Sequence, residues 1–199
     1  MTRGPELHGD MVRLRPIEAR DAERLWESVQ DPVGMRQTGT RATFTRAQVD
    51  AWAATVSDQP GRYDWAVTSG VVRDGAFVSD VLLGEIVLNE IDDVSRSANL
   101  RLQFLPDYRG RGYGREAITL VLQFAFDGVR VDGEFEPGLG LHRVSLDVLS
   151  INPRARALYE SLGFREEGRL RDAHRDGDGW VDVHVMSILE DEFRTSSRS

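Results

Sequence analysis

Apolar and polar residues alternate along several short segments of the chain, which is the pattern of strands with one face in a core. The segments are Met11–Arg15, Tyr63–Val67, about Ala76–Leu88, Ser97–Leu105, Val144–Val148, Phe164–Leu170 and Trp180–Leu189. Turn residues separate two pairs of them, because Asp74-Gly75 predicts one hairpin and Asp176-Gly177-Asp178-Gly179 predicts another.

Other segments carry apolar residues at helical spacing. They predict helices over residues 19–29, from a Thr45 capping box to Val56, over residues 112–127, and from an Asn152 cap to Gly163. The third of these helices is apolar on more than one side and should be buried. Residues 30–43 and the glycine-rich, acidic residues 128–141 are predicted to be loops.

The order of elements is strand, two helices, three strands, helix, strand, helix and two strands, which predicts a single α/β domain with a mixed sheet. We place this domain at residues 11–193, with flexible termini at residues 1–10 and 194–199. The length of 199 residues and the hydrophobic content of 40% are sufficient for the core of one such domain.

Composition narrows the function classes. The net charge of −8 argues against general nucleic-acid binding and favours cationic partners such as amines. No apolar run approaches the length of a membrane span. Cysteine is absent, which excludes disulfides and thiol chemistry and favours a cytoplasmic location. The four histidines have no metal-type spacing, so we predict no metal site.

A glycine-rich turn, Tyr108-Arg109-Gly110-Arg111-Gly112-Tyr113-Gly114-Arg115, joins a predicted strand to a predicted helix. Glycine permits a sharp turn and close approach of a ligand, and the helix N-terminus favours a phosphate. The spacing does not fit the dinucleotide fingerprint or the Walker loop. We interpret the turn as a pyrophosphate cradle; a basic surface turn before a helix is the alternative.

Two segments carry a resemblance to a known family. Arg109-x-x-Gly112-x-Gly114 resembles the R/Q-x-x-G-x-G/A signature of the GNAT superfamily of N-acetyltransferases. The segment from Asn152 to Phe164 is similar to the family's N-x-x-[SA]-x-x-L-Y-x-x-L-G-F segment. Leu14-Arg15-Pro16-Ile17 and Gly179-Trp180-Val181-Asp182 resemble the RimJ/RimL-type branch, which acetylates protein N-termini and small amines.

The resemblance implies a mixed, mostly antiparallel sheet flanked by helices, in which a bulge splays the central strand away from its neighbour at the cofactor site. It also implies transfer of an acetyl group from acetyl-CoA to a primary amine in a ternary complex, without a metal. The implied cofactor-binding residues are Leu102, Gln103, Phe104, Arg109, Gly110, Arg111, Gly112, Tyr113, Gly114, Arg115, Asn152 and Arg156.

Tyr159 is the candidate general acid. A phenol titrates near 10 and a thiol near 8.5, so a neutral Tyr donates readily to a departing thiolate. Tyr159 follows Asn152 by two helical turns, so both lie on nearly the same face. A purely structural role, with Tyr159 packed under Phe164, is the alternative. Glu85 is the candidate base, and Asp147 and Asp182 remain open as alternatives.

The acceptor also remains open between a protein N-terminus and a small amine, because helices and loops outside the motifs select it. A catalytically silent acyl-CoA sensor or partner-binding module of the same fold is the competing function. The expected assembly is a monomer or a homodimer, with the Trp180–Leu189 strand as a possible pairing edge.

Overall fold

The computed structural model describes residues 3–70, 72–73, 76–77, 79–131 and 134–196. Its strands are β1 (Leu7–His8), β2 (Val12–Pro16), β3 (Tyr63–Ser69), β4 (Val72–Arg73), β5 (Ala76–Phe77), β6 (Gly84–Asp92), β7 (Ser97–Phe104), β8 (Gly128–Val131), β9 (Glu134–Pro137), β10 (Arg143–Leu149), β11 (Arg165–Asp176) and β12 (Gly179–Leu189). Its α-helices are α1 (Ala22–Gln30), α2 (Pro32–Gln37), α3 (Arg46–Thr55), α4 (Tyr113–Phe126), α5 (Pro153–Ser161) and α6 (Glu190–Ser196).

The main sheet contains eight strands in the order β1-β2-β3-β6-β7-β10-β12-β11. Neighbours are antiparallel except β7 and β10, which run parallel. The parallel ladder joins Ser97–Asn99 to Arg143–Ser145 and stops there, although β7 continues to Phe104 and β10 to Leu149. The sheet therefore opens between these strands, which confirms the predicted mixed, mostly antiparallel and splayed architecture.

The ladder between β6 and β7 contains one register shift. The ladder between β6 and β7 is regular from the Gly84–Phe104 pair to the Asn89–Asn99 pair. Its register shifts only beyond Asn89, where Glu90 adopts a positive φ of 54°. The extra residue of this ladder therefore lies on β6, and β7 diverges from β10 without a bulge of its own.

Two apolar cores lie on opposite faces of the sheet. Trp65 and Val67 of β3 belong to the first core, which α4 covers with its nearly all-round apolar surface. Ala66, between them, belongs to the second core with Leu25 of α1 and Ala53 of α3. The alternation of strand side chains thus divides the helices between the two faces of the sheet.

Residues 30–43 are not entirely a loop, because they contain α2. The Asp31 side chain accepts hydrogen bonds from the amides of Val33 and Gly34, and Pro32 occupies the first turn. An Asp cap followed by Pro is a helix start signal, which outweighs the glycine content of this stretch. Residues 128–141, also predicted as a loop, contain the β8–β9 hairpin.

The hairpin predicted at Asp74-Gly75 lies only partly within the described residues. Its flanking strands β4 and β5 pair antiparallel, while Asp74-Gly75 itself lies outside the described residues. The proposed return strand from Ala76 to Leu88 is divided into β5 and β6.

The structure differs from the expectation of a flexible terminus at residues 3–10. Leu7 is only 1% exposed and β1 pairs with β2. The Glu116 carboxylate in the first turn of α4 accepts hydrogen bonds from the amides of Asp10, Met11 and Val12, at 2.8, 2.8 and 2.7 Å. A single helix carboxylate therefore anchors the entry into β2, and this long-range contact has no local sequence signal.

The C-terminal region also differs from the sequence-based expectation in two respects. β12 lies between β10 and β11, so the Trp180–Leu189 strand is an interior strand and not a pairing edge. The chain then forms α6, whose Phe193 packs on Phe126 with ring centroids 5.6 Å apart. The helix extends the ordered fold to Ser196, past the predicted boundary at residue 193.

Candidate active site

A cleft of about 1270 Å³ occupies the opening between β7 and β10. The glycine turn, α5, α2 and the residues that follow α2 all contribute to its lining. The predicted site residues that line it are Glu85, Leu102, Gln103, Phe104, Arg109, Gly110, Gly112, Gly114, Arg115, Asn152 and Tyr159. The fold therefore brings together the two motifs and the candidate acid and base.

The glycine turn has the backbone geometry of an anion cradle. Gly110 and Gly112 have φ values of +77° and +89°, a conformation that disfavours other residues. Gly112 stands at the N-cap of α4, and its carbonyl accepts from the amides of Arg115 and Glu116. The amides that precede these have no partner within the helix, so they are the donors that a phosphate would use.

The arginines of the turn have different roles from one another. Arg109 donates to the carbonyl of Phe104 at 2.9 Å and to the carboxylate of Asp31. Arg115 reaches the C-terminal end of α5, where it donates to the Ser161 hydroxyl. Arg111 lies over the Tyr108 ring, 5.9 Å from its centroid, without an ion pair in the described part of the chain.

Arg154 supplies a cation at the turn that sequence reasoning missed. A β-carbon at Gly110 would lie only 2.0 Å from Arg154 Nη2, so the guanidinium rests directly against the turn. No carboxylate among the described residues forms an ion pair with it. Arg156, which we predicted instead, pairs with Glu160 and Glu166 and does not line the cleft.

The remaining signal of the second motif is the cap of α5. Asn152 accepts from the amide of Ala155 at 3.2 Å through Oδ1, which leaves the side-chain amide N–H groups as donors toward the cleft. Tyr113, predicted in the cofactor site, instead packs against Phe104 with ring centroids 6.5 Å apart. It supports the strand edge from behind and does not line the cleft.

Tyr159 is a largely buried residue that lines the cleft. The residue is 8% exposed, and its ring lies 5.8 Å from that of Phe164. Among the side-chain polar atoms of the described residues, Asn89 Oδ1 is fully buried without a hydrogen-bond partner. The Tyr159 hydroxyl does not fall in this class, so it is not enclosed in the core without a partner. Burial raises the pKa of Tyr159 to about 12, which keeps the phenol neutral and able to donate.

Glu85 projects from β6 on the face that lines the cleft, together with Val87 and Asn89. Burial raises its pKa from 4.5 to about 7, and the nearby negative charge of Asp64 adds to this rise. The positive charges of Arg101 and Arg62 oppose it. A half-buried carboxyl with a pKa near neutrality is suited to accept a proton at physiological pH.

The alternative base candidates have different surroundings. Burial and the negative charge of Glu90 raise the pKa of Asp147, and both of these carboxylates line the cleft. Asp182 accepts from the Asp172 amide and pairs with Arg169, which together hold its pKa below the ordinary value. Asp182 lies outside the cleft lining, so the structure separates it from the other candidates.

The helix α2 and its flanks form a wall that sequence reasoning treated as a loop. Asp31 connects the start of α2 to Arg109. Arg36, near its end, makes two hydrogen bonds to Asp176 of β11, at 2.8 and 2.7 Å. Gly39 lies against His174, which also lines the cleft. The wall is therefore fastened to both the glycine turn and the C-terminal hairpin.

The described residues contain no group of three or more His, Cys, Asp or Glu arranged to hold a metal ion. None of the helices that the structure describes is long and apolar enough to cross a membrane.

A splayed sheet with a glycine cradle at the opening is the architecture of an acyl-CoA-dependent acyltransferase. Comparison with protein families agrees, because the model of an acetyltransferase (GNAT) domain matches residues 12–165. The chain therefore belongs to the GNAT family of N-acetyltransferases, which use acetyl-CoA as the acetyl donor.

Relatives of the chain carry N-acetyltransferase names. A spermidine N(1)-acetyltransferase of Vibrio cholerae is 33% identical over 116 residues, which are 58% of this chain and 61% of that protein. The "Putative ribosomal N-acetyltransferase YdaF" of Bacillus subtilis is 27% identical over 92% of this chain and 93% of that protein. The crystal structure of a Vibrio cholerae spermidine N-acetyltransferase with CoA and spermine has a TM-score of 0.76 at 24% identity, covering 92% of this chain and 98% of that one. The last of these likenesses concerns the fold.

Proposed function

We propose that the chain transfers an acetyl group from acetyl-CoA to the primary amine of a cationic acceptor, by direct attack in a ternary complex. The observation that carries the proposal is that Glu85 and Tyr159 line one cleft beside the glycine turn. The pKa of Glu85 is raised to about 7 and that of Tyr159 to about 12, so the two groups meet the needs of base and acid.

Glu85 and Tyr159 have separate roles in the proposed reaction. Glu85 takes a proton from the acceptor ammonium, directly or through a water, and leaves a neutral nitrogen. That nitrogen forms a bond to the thioester carbonyl carbon, and the carbon–sulfur bond breaks. Tyr159 donates its proton to the departing thiolate, which becomes the free thiol. The new amide nitrogen loses its second proton to solvent, and the Tyr159 phenolate takes a proton back from solvent. The protonated Glu85 also returns its proton to solvent, so the products are the N-acetyl amine, the free thiol and one released proton.

The free cations of the turn support the cofactor part of the proposal. Arg111 and Arg154 supply positive charge at the glycine turn, and the absence of a side chain at Gly110 leaves room for the Arg154 guanidinium. Asn152 and the strand edge at Leu102–Phe104 are placed to contact the pantetheine arm, since all of them line the cleft.

The acidic lining supports a positively charged acceptor. Asp147 and Glu90 approach closely enough for the charge of Glu90 to raise the pKa of Asp147, and neither is neutralised by an ion pair among the described residues. A cationic amine would relieve this repulsion.

The names of the relatives include both a polyamine and a ribosomal acceptor, and membership of the RimJ/RimL-type branch is part of the proposal. We place the reaction in the cytoplasm, as the cysteine-free sequence favours.

The test is release of free thiol from acetyl-CoA with a panel of polyamines, monoamines and N-terminal peptides, with mass analysis of the products. We expect turnover with cationic amines and an added acetyl group on nitrogen. Binding of acetyl-CoA without turnover by any acceptor would favour the competing sensor function, and Tyr159→Phe should then have no effect on cofactor affinity.

A further inference from the structure

Arg109 begins the glycine signature, yet its side chain points away from the cradle amides. Nε donates to the carbonyl of Phe104 at 2.9 Å, and Nη2 donates to the carboxylate of Asp31. Side-chain exposure is 24% for Arg109 and 9% for Asp31. The guanidinium therefore donates its hydrogen bonds to the end of β7 and to the residue that precedes α2.

The same carboxylate caps α2. Asp31 Oδ1 accepts from the Val33 amide at 3.1 Å, and Oδ2 accepts from the Gly34 amide at 2.9 Å and from Arg109. The hydrogen bond and charge of Arg109 hold the pKa of Asp31 below its ordinary value, although burial alone would raise it. One side chain thus joins the cap of the helix to the glycine turn.

The packing at this junction leaves no room for a side chain at position 34. A β-carbon at Gly34 would lie 2.5 Å from Asp31 Oδ2, 2.6 Å from Arg109 Nη2 and 3.1 Å from Gln103 Nε2. Gln103 in turn donates to the carbonyl of Ser28, in the last turn of α1, at 3.2 Å. The end of β7 therefore holds both the end of α1 and the start of α2.

The helix held in this way lines the cleft through Val33 and Met35, and Thr38, which follows it, also contributes to the lining. We propose that Arg109 is a positioning residue for the acceptor, which fixes α2 through Asp31, and not a ligand of the cofactor phosphates. The role of α2 as the acceptor wall rests on the proposed function. The linkage between Arg109, Asp31 and α2 does not.

The experiment compares Arg109→Gln, Asp31→Asn and the double variant with wild type, using Arg194→Gln as the matched control. Arg194 is also ion-paired, with Asp127, but lies in α6 away from the cleft. Isothermal titration gives the Kd of acetyl-CoA, and steady-state kinetics give kcat and KM for the acceptor. Hydrogen exchange of residues 31–40 is measured without any ligand, and a thermal melt of each variant confirms folding.

We expect the acceptor KM to rise about tenfold in each single variant, since a charge-assisted hydrogen bond is lost. The Kd of acetyl-CoA and kcat should stay within about twofold, and the double variant should match the worse single one because the two residues act as a unit. Exchange at residues 31–40 should accelerate in both single variants and remain unchanged in the control.

A weaker affinity for acetyl-CoA with an unchanged acceptor KM would overturn the proposal and restore Arg109 as a cofactor ligand. Unchanged exchange at residues 31–40 would also overturn it, and this readout applies even if wild type shows no turnover. If wild type binds no acetyl-CoA, the proposed function fails while the exchange result still decides the linkage. Asp31→Asn alters a single side-chain atom and serves for every measurement if Arg109→Gln does not fold.

Discussion

Replacing Glu85 by Gln should abolish base catalysis and at the same time stabilise the protein. Burial raises the pKa of Glu85 from 4.5 to about 7, and the negative charge of Asp64 makes the second-largest contribution to this rise. Gln has the shape of the protonated carboxyl and keeps hydrogen-bonding capacity, so it removes the ionised state without leaving a cavity.

The magnitude follows from the difference between the folded and unfolded pKa values. A change from 4.5 to about 7 corresponds to about 3 kcal/mol at full ionisation, and partial exposure of Glu85 reduces this to about 1–3 kcal/mol. The folded pKa is the higher one, so the folded state binds more protons between these values. The free energy of unfolding of wild type therefore falls as the pH rises from 4.5 to 7, relative to the variant.

The assay is chemical denaturation followed by circular dichroism, from about pH 4 to about pH 8, for wild type and Glu85→Gln. We expect equal stability below pH 4.5 and an advantage for the variant that is complete above about pH 7. Glu134→Gln, at an exposed position on β9, is the control and should change stability by less than about 0.5 kcal/mol.

The same substitution should also change how the activity depends on pH. The kcat/KM of wild type should rise with pH through an inflection near 7, and Glu85→Gln should lose that inflection and fall by about 10²-fold or more. Two results would refute the reasoning: a variant that is no more stable than wild type at about pH 8, or a variant that retains the inflection. The acceptor's own titration remains in both proteins and serves as the internal reference.

Three further substitutions test the other parts of the cleft. Tyr159→Phe should lower kcat by about 10²-fold and leave the Kd of acetyl-CoA within about twofold, as measured by thiol release and titration; equal turnover would remove Tyr159 from the mechanism. Gly110→Ala should raise the Kd of acetyl-CoA by about tenfold, because Ala resists a φ of +77° and displaces Arg154; unchanged binding would contradict the cradle. Asp147→Asn should raise the KM of dicationic acceptors more than that of monoamines, and the difference should shrink in high salt; equal changes for both would argue against an electrostatic role.

Local signals in the sequence were sufficient for much of the fold. The Thr45–Gln48 capping box, the glycines before α4 and the Asn152-Pro153 start of α5 all occur in the structure where they were predicted. Each of these signals acts within one helical turn, so its meaning does not depend on the rest of the chain. The alternation in β7 and β10 also predicted the strands, because one face of each meets a core, whereas both faces of β3 are buried.

The predictions that differed depend on contacts between distant residues. The terminal segment through Val12 is held by Glu116, more than one hundred positions away. Arg109 forms an ion pair with Asp31, a contact between distant residues that no local pattern indicates. Arg154 and Arg156 are indistinguishable in the motif, and only the direction of each side chain from α5 places one at the turn and the other on Glu166. Such directions follow from tertiary packing, which single-sequence patterns do not encode.

The most direct measurement is isothermal titration of wild type with acetyl-CoA and, in parallel, with S-acetylpantetheine, which lacks the nucleotide and pyrophosphate. The cradle at Gly110–Arg115 predicts saturable binding of acetyl-CoA with a Kd at least tenfold below that of the truncated ligand. Equal affinity for the two ligands would show that the glycine turn does not bind pyrophosphate. Absence of acetyl-CoA binding would contradict the account of the cleft as an acetyl-transfer site.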